Sequence, residues 1–124
     1  MTFPDDWPKG CPPDEAEDAY GEVFRIVRDY PPSNSDMMSH HETGRLPKAP
    51  PCLRCGLSVF LVEEDAVNQQ QLLPKLGKRI ANATLNATHG KISLTPGQQP
   101  THTTWWPCTI VDRAALFVVA KEVT

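Results

Sequence analysis

The sequence predicts an α+β fold: a single small domain with a mainly antiparallel sheet of about five strands, two or three short helices and long proline-rich loops. Three observations predict it. The 124 residues match the size of one domain. Short runs rich in β-branched and aromatic residues alternate with turn residues. The 13 prolines are about twice the usual share, and because proline fixes φ and lacks an N–H donor, they require long irregular segments.

The first segment, residues 1–13, is predicted to be an irregular arm. Prolines interrupt it throughout, and Phe3 and Trp7 are its two large apolar residues. These side chains can anchor the arm on the remainder of the chain, residues 14–124, which we expect to fold as a single α+β domain.

A helix followed by a strand is predicted next. Pro12-Pro13-Asp14-Glu15 is typical of a helix start, because proline suits the first turn and acidic residues favour the positive end of the helix dipole. We expect this helix to end at Tyr20 and a strand to cover residues 22–28. The apolar spacing also fits one amphipathic helix through Val27, but Gly21 interrupts that pattern.

The middle of the chain contains a long loop and the clearest strand. Residues 29–51 are rich in Pro, Ser, Asn and Gly and predict a loop, with a short helix over residues 36–42. Residues 57–62 are mostly bulky and apolar, so we expect a central strand that is buried on both faces. A helix over residues 63–73 follows.

The last part of the chain is predicted to consist of strands. Residues 80–85 and 91–95 are expected to pair as a hairpin, with Gly90 supplying an unusual φ in the connection. Residues 102–106 form a further predicted strand, and residues 116–123 the last one.

The charge balance argues against two classes of partner. The chain has 12 basic and 15 acidic residues, for a net charge of −3, and it lacks the dense basic stripe typical of nucleic-acid-binding domains. No apolar stretch reaches the ~18 residues that a membrane helix needs. Residues 1–10 do not match a signal peptide. We therefore expect a cytoplasmic protein whose partner is another protein.

The sharpest local motif is Cys52-Leu53-Arg54-Cys55-Gly56. Two cysteines at this spacing can bind one metal ion through both thiolates, with the glycine allowing the chain to turn, as in the knuckles of zinc-ribbon sites. A structural zinc needs four ligands. We name Cys52, Cys55, Cys108 and His102 as candidate zinc ligands; other residues able to contribute are Cys11, His40, His41 and His89.

Three other interpretations of the cysteines stay open. Buried free thiols need no metal. A Cys-x-x-Cys redox motif normally opens a helix after a strand, whereas this one precedes a strand. Four cysteines also allow three disulfide pairings, although stable disulfides are not expected in a cytoplasmic protein.

Two further segments carry chemically useful side chains. His40-His41-Glu42 offers groups for acid–base or metal chemistry near neutral pH, but adjacent side chains rarely serve one site, and the sequence favours ordinary polar loop residues with Glu42 near a helix end. Trp105 and Trp106 are neighbours on a predicted strand, so one should be buried and the other exposed. The exposed one would be a candidate partner-binding residue, because tryptophan is enriched at interfaces.

A sparse enzymatic pattern is also present. Enzymes that transfer ADP-ribose from NAD carry an Arg or His on an early strand, a Ser or Thr on a middle strand and a Glu on a later one. Arg25, Ser58 and Glu122 occur in that order. The match covers three isolated positions and identifies no family.

Two hypotheses of different classes result, and the sequence does not decide whether the chain is an enzyme. The first is an interaction or regulatory domain, pinned by a structural zinc, that presents Trp105 or Trp106 to a protein. The alternative is a small enzyme, such as an NAD-using ADP-ribosyl transferase, with a pocket near Arg25, Ser58 and His102 and with Glu122 as a further catalytic candidate. A deep polar pocket joining these residues would favour the enzyme, and a flat exposed aromatic patch would favour the binder.

Overall fold

Residues 1–123, which the computed structural model describes, contain seven strands in one antiparallel sheet. In space the strands lie in the order β1-β5-β6-β3-β2-β4-β7. The α+β class and the antiparallel sheet are therefore confirmed, but the sheet has seven strands where about five were predicted. In chain order the strands are β1 (Glu17–Asp18), β2 (Gly21–Val27), β3 (Leu57–Phe60), β4 (Arg79–Leu85), β5 (Gly90–Leu94), β6 (His102–Pro107) and β7 (Val118–Glu122).

Four α-helices accompany the sheet in the same part of the chain: α1 (His40–Thr43), α2 (Pro51–Cys55), α3 (Glu63–Leu72) and α4 (Arg113–Leu116). Short 3₁₀ turns cover Asn34–Met37, Pro74–Leu76 and Ala87–His89. The helix predicted after the central strand is confirmed as α3, which begins with acidic residues in its first turn. The predicted loop over residues 29–51 is mostly irregular but contains one 3₁₀ turn and α1.

The helix predicted over residues 14–20 is wrong, whereas the strand after it is confirmed as β2. Instead of forming a helix, β1 pairs with β5, and Lys91 Nζ lies 2.6 Å from the carboxylate of Asp18. Gly21 then has a φ of 82°, a left-handed conformation that favours glycine and ends any helix. Long-range strand pairing thus overrides a helix signal that was correct only locally.

The predicted hairpin between residues 80–85 and 91–95 is also wrong, although both segments are strands. β4 pairs with β2 and β7, while β5 pairs with β1 and β6. Leu85 lies opposite Gly21, and Gly90 accepts a hydrogen bond from the N–H of Ala19. The β4–β5 segment therefore runs antiparallel to the β1–β2 segment, and β4 and β5 do not pair with each other as a hairpin.

The strand β3 is central, as predicted, because it is the fourth of seven strands in the sheet. The prediction that it is buried on both faces is wrong. Leu57, Val59 and Phe60 are buried, but Ser58 is exposed. Residues 61 and 62 lie beyond the strand and are also exposed. One face of β3 is thus fully packed and the other is partly open to solvent.

The two faces of the sheet are covered by different parts of the chain. On one face, Leu57 and Val59 of β3 and Trp105 of β6 belong to the main apolar core, which Phe117 helps to close. On the other face, α3 covers one area through Ala66. The N-terminal arm and α2 cover a separate area above Trp106. The face between these two covers carries the site described next.

Candidate functional site

A cavity of about 650 Å³ lies over the exposed face of β3. Arg25, Ser58 and His102 all line it, so the structure brings together three residues that the sequence analysis named as candidates. A smaller cavity of about 350 Å³ lies beside it and shares Ser58 and His102 as wall residues. The larger volume is in the range of small-molecule sites.

Ser58 and His102 form a hydrogen bond at the wall common to both cavities. His102 Nε2 lies 2.9 Å from Ser58 Oγ. Strand register produces this contact, because Ser58 lies opposite Thr104 and Phe60 opposite His102, which places all four side chains on the same face. The ring of Phe60 packs edge-on against the imidazole, with ring centroids 5.5 Å apart.

The other side of the imidazole fixes the direction of this hydrogen bond. His102 Nδ1 lies 2.8 Å from the main-chain carbonyl oxygen of Thr95. A carbonyl only accepts, so Nδ1 must carry the proton. In the neutral ring Nε2 is then an acceptor, and the Ser58 hydroxyl donates to it. The side chain of Thr95 adds a 2.8 Å hydrogen bond to the hydroxyl of Thr104, which holds the segment in place.

Arg25 fastens the strand that carries Ser58. β2 and β3 are in register at only one pair, Phe24 opposite Phe60, and the guanidinium of Arg25 donates to the carbonyl oxygen of Ser58 at 2.7 Å. It also donates to the main-chain oxygen of Asp36 at 3.0 and 2.9 Å. Arg25 therefore cross-links β3 to the segment that forms the opposite wall of the cavity.

The charge in the larger cavity is predominantly positive. Arg25, Arg28 and Arg45 line it, against one carboxylate, that of Asp36. The Asp36 carboxylate is already occupied, because it accepts main-chain N–H groups of residues 28, 29 and 33 at 2.8 to 3.1 Å. Its oxygens are thus turned toward the backbone. Arg25 and Arg28 donate to main-chain oxygens, and the guanidinium of Arg45 remains available to an anion.

Two pKa shifts reflect this environment. Burial lowers the pKa of Arg25 from its usual range to about 10, against an opposing effect of Asp36, so the side chain stays charged at neutral pH. Desolvation lowers the pKa of His40, and the nearby Arg45, Arg25 and Arg54 lower it further. His40 lines both cavities and is therefore neutral around pH 7.

The four candidate zinc ligands have separate surroundings in the structure. Cys52 forms a disulfide with Cys11. The Cys55 thiol is buried, with its pKa raised mainly by that burial, and Cys108 is a buried free thiol that donates to a main-chain oxygen. His102 faces Ser58. Among residues 1–123, no three His, Cys, Asp or Glu side chains are placed to share a metal ion.

The motif that suggested a zinc knuckle forms a helix. Residues 51–55 are α2, which ends at Gly56, so Cys52 and Cys55 lie one turn apart on a helix. The expectation of no stable disulfide is wrong in this structure, because Cys11 and Cys52, 41 residues apart, are bonded. The bond ties the N-terminal arm to α2.

Trp105 and Trp106 point to opposite faces of β6, as strand alternation predicts, but both are buried, at 0 % and 1 % exposure. The prediction that one would be exposed is wrong. Trp105 lies in the main core. Trp106 lies under the arm and α2, and its indole N–H donates to the main-chain oxygen of Cys52 at 2.9 Å. The arm thus fills the area that an outside partner was expected to cover.

Glu122 is not near the cavity. It lies on β7, where its carboxylate is 3.3 Å from the guanidinium of Arg79. Strands β2 and β4 separate β7 from β3, and neighbouring strands are about 4.8 Å apart. The three residues of the ADP-ribosyl transfer pattern are therefore divided: Arg25 and Ser58 line the cavity, and Glu122 lies at the edge of the sheet.

The His40-His41-Glu42 segment is also divided. His41 Nε2 lies 2.8 Å from Asp6 of the arm, whereas His40 lines the cavities. Glu42 lies 2.7 Å from the guanidinium of Arg113 in α4. As expected for adjacent residues, the two histidines serve different places.

Sequence analysis did not identify Thr95, Asp36 or Arg45 as parts of the site. Thr95 contributes through its main-chain oxygen, which any residue has, so no side-chain signal marks it. In the sequence, Asp36 was noted only as the first residue of a predicted helix. In the structure it lies in a 3₁₀ turn that Ser33 caps. Arg45 is the one arginine of the predicted loop over residues 29–51, and its guanidinium is the signal that could have found it.

Comparisons with known protein families, with curated proteins and with solved structures find no match to this chain. No helix in the part that the structure describes is long and apolar enough to cross a membrane. The Ser58–His102 pair and the cavities beside it are the features of this chain that bear on its function.

Proposed function

We propose that this protein is a small enzyme that uses Ser58 as a nucleophile and His102 as its general base, acting on an anionic substrate in the arginine-lined cavity. The observation that carries the proposal is the oriented hydrogen bond from Ser58 to Nε2 of an imidazole whose Nδ1–H is held by the Thr95 carbonyl. This is the geometry that nucleophilic catalysis by serine requires: nucleophile, base and orienting group in one line of contacts.

The proposed step is transfer of an acyl or phosphoryl group to the serine. Ser58 Oγ forms a bond to the electrophilic carbon or phosphorus while its proton passes to His102 Nε2. The bond to the leaving oxygen breaks, and that oxygen takes the proton from Nε2. Water then attacks the Ser58 adduct, with His102 again accepting and returning a proton, and the free serine is restored.

The location of Ser58 supports a role beyond stabilising the sheet. The side chain is exposed, in the middle of a strand where its neighbours are buried. A Ser–His bond that only stabilises the fold contributes about 1 kcal/mol and has no need of a cavity. Here two cavities meet at the bond.

The other two hypotheses have less support. An NAD-using ADP-ribosyl transferase would keep Arg25 and Ser58, but among residues 1–123 no glutamate lines the cavity with them, because Glu122 pairs with Arg79. The ADP-ribosyl transferase hypothesis stays a prediction. The interaction domain loses both candidate surface residues, since Trp105 and Trp106 are buried, and the Cys52 thiol is in a disulfide. Partner proteins and zinc likewise stay predictions.

The test is covalent labelling with an alkyl fluorophosphonate, which reacts with serines activated by a base and releases fluoride. We expect one adduct per chain, located at Ser58 by peptide mass mapping. Ser58→Ala should abolish it, and His102→Gln should slow labelling at least about tenfold. The matched control is Ser35→Ala, since Ser35 lines the same cavity but is hydrogen-bonded to Ser33. That variant should label like the wild type.

Two outcomes would contradict the proposal. One is a wild-type protein that does not label although it melts cooperatively. The other is equal labelling of the wild type and Ser58→Ala. Circular dichroism of each variant separates loss of the nucleophile from loss of the fold.

A further inference from the structure

The two cavities that meet at Ser58 differ in chemical character. Arg25, Arg28 and Arg45 line only the larger one. The smaller one has a wall of apolar residues, among them Leu46 and Pro96, that does not extend into the larger. Arg54 also lines the smaller cavity, but its guanidinium donates to the main-chain oxygens of Arg45 and His40. Ser58 and His102 belong to both. A group at this junction therefore has guanidinium groups on one side and an apolar wall on the other.

We infer that the ligand of this site has two parts, an anionic group bound in the arginine-lined cavity and an apolar group bound in the smaller one, with the bond joining them next to Ser58. The inference rests on the proposed function for the attack at that bond, but the two-part binding is testable without turnover. It names the substrate class: an ester that links a carboxylate- or phosphate-bearing unit to a hydrophobic unit.

The backbone at Arg45-Leu46 adds a second observation in support of the inference. Arg45 lines the larger cavity and Leu46 the smaller, so one short stretch supplies both walls. Leu46 has a φ of 48°, and it is 56 % exposed. A leucine in the left-handed region is strained, and burial does not explain its presence there. Backbone strain of this kind concentrates at ligand-binding positions, and a ligand that covers Leu46 gives the side chain a role.

The charge of the larger cavity favours an anionic group. Arg45 is exposed, and among residues 1–123 its guanidinium has no ion-pair partner, since none of the ion pairs includes it. The one carboxylate in the larger cavity, that of Asp36, is bonded to main-chain N–H groups. A carboxylate or phosphate entering the cavity would therefore meet the guanidinium of Arg45, which no acid already neutralises.

The experiment is calorimetric titration of the wild type with three probes. 4-Phenylbutyrate carries both parts, butyrate lacks the apolar part and 4-phenylbutanamide lacks the charge. We expect 4-phenylbutyrate to bind at least about tenfold more tightly than either of the others. Equal affinity for the acid and the amide, or no binding of 4-phenylbutyrate, would overturn the inference.

Two variants assign the parts to their cavities. Arg45→Gln should reduce the affinity for 4-phenylbutyrate to that of the amide. Leu46→Asn should reduce it to that of butyrate, and it should fold at least as well as the wild type, because asparagine tolerates the left-handed region. Unchanged affinity in Leu46→Asn would place the apolar part elsewhere and contradict the inference.

This test and the labelling test fail separately. If the two-part probe binds but the fluorophosphonate does not label Ser58, the proposed enzymatic function is contradicted and the inferred ligand class is retained. If Ser58 is labelled but the two-part probe binds no more tightly than the others, the proposed enzymatic function is retained and the inferred ligand class is contradicted.

Discussion

The two faces of the strand pair β3–β6 are built from alternating residues of the same segments, yet they are closed in different ways. On one face, Leu57 and Trp105 lie directly opposite each other and join a continuous apolar core. On the other, Trp106 is covered by the N-terminal arm and α2, while Ser58 next along that face remains exposed. A face closed by contiguous apolar side chains leaves no space, whereas a face closed by separate segments leaves a cavity between them.

The largest expected effect is the loss of a buried indole. We expect Trp105→Ala to reduce the free energy of unfolding by about 3–5 kcal/mol, because the cavity left in the core cannot collapse fully. Trp106→Ala should cost a similar amount, since that ring is also buried. Urea unfolding of both variants measures the effect. Tyr20→Ala is the matched control, because Tyr20 is 61 % exposed, and it should change stability by no more than about 0.5 kcal/mol.

The same variants test whether the two faces of the sheet are both closed in solution. If Trp106→Ala costs as little as Tyr20→Ala, the arm does not pack on that face in solution, and the exposed Trp106 becomes available to a partner as the sequence analysis expected. A large and similar cost for both tryptophans supports the closed arrangement.

Sequence patterns predicted the strands of this fold better than their partners. The strands β2 to β7 were located to within about two residues, because short runs of bulky residues or an alternation of polar and apolar residues mark them. The pairing of β4 with β7 and of β5 with β1 was missed, because it depends on contacts between residues far apart in the chain. The erroneous helix over residues 14–20 has the same origin.

The candidate site was predictable in its residue types but not in its geometry. Arg25, Ser58 and His102 were named because their side chains can do chemistry, and they do line one cavity. The Thr95 carbonyl that orients the imidazole depends on the register of β5 and β6, which no local pattern reports. Glu122 shows the reverse error, since correct order in the chain did not bring it to the site.

The second effect in size is that of the Cys11–Cys52 disulfide. Replacing both cysteines with serine should lower the free energy of unfolding by roughly 2–4 kcal/mol, because the unfolded chain regains the freedom of a long loop. Only the packing on the face of the sheet that carries Trp106 should depend on the disulfide, since the bond ties the arm to α2. In the double-serine background we therefore expect Trp106→Ala to cost less than in the wild type and Trp105→Ala to cost the same.

A thiol count provides the control for this prediction. The denatured, unreduced protein should show two reactive thiols, those of Cys55 and Cys108. Four thiols would mean that the bond is absent, and equal coupling of both tryptophans to the disulfide would contradict the separation of the two faces.

The smallest effect concerns Glu42, which helps to hold the wall of the open face. Its carboxylate accepts from Arg113 at 2.7 Å and from the main-chain N–H of Ser39 at 2.8 Å, which joins α1 and α4. Burial raises the pKa of Glu42, but these hydrogen bonds and the charge of Arg113 outweigh it, so the pKa lies below 4.5. Because the pair is partly exposed, Glu42→Gln should cost only about 0.5–1 kcal/mol at neutral pH.

The loss of unfolding free energy in Glu42→Gln should depend on pH. A folded-state pKa below the unfolded value of 4.5 means that the ionised carboxylate stabilises the fold above pH 4.5. This contribution is lost as the pH falls through the lowered folded-state pKa, so the difference between wild type and Glu42→Gln should shrink below pH 4.5. Urea unfolding over a pH series measures it, with Glu15→Gln as an exposed control whose difference should stay near zero. A Glu42→Gln cost that is unchanged at low pH would assign it to lost packing and not to the charged hydrogen bond with Arg113.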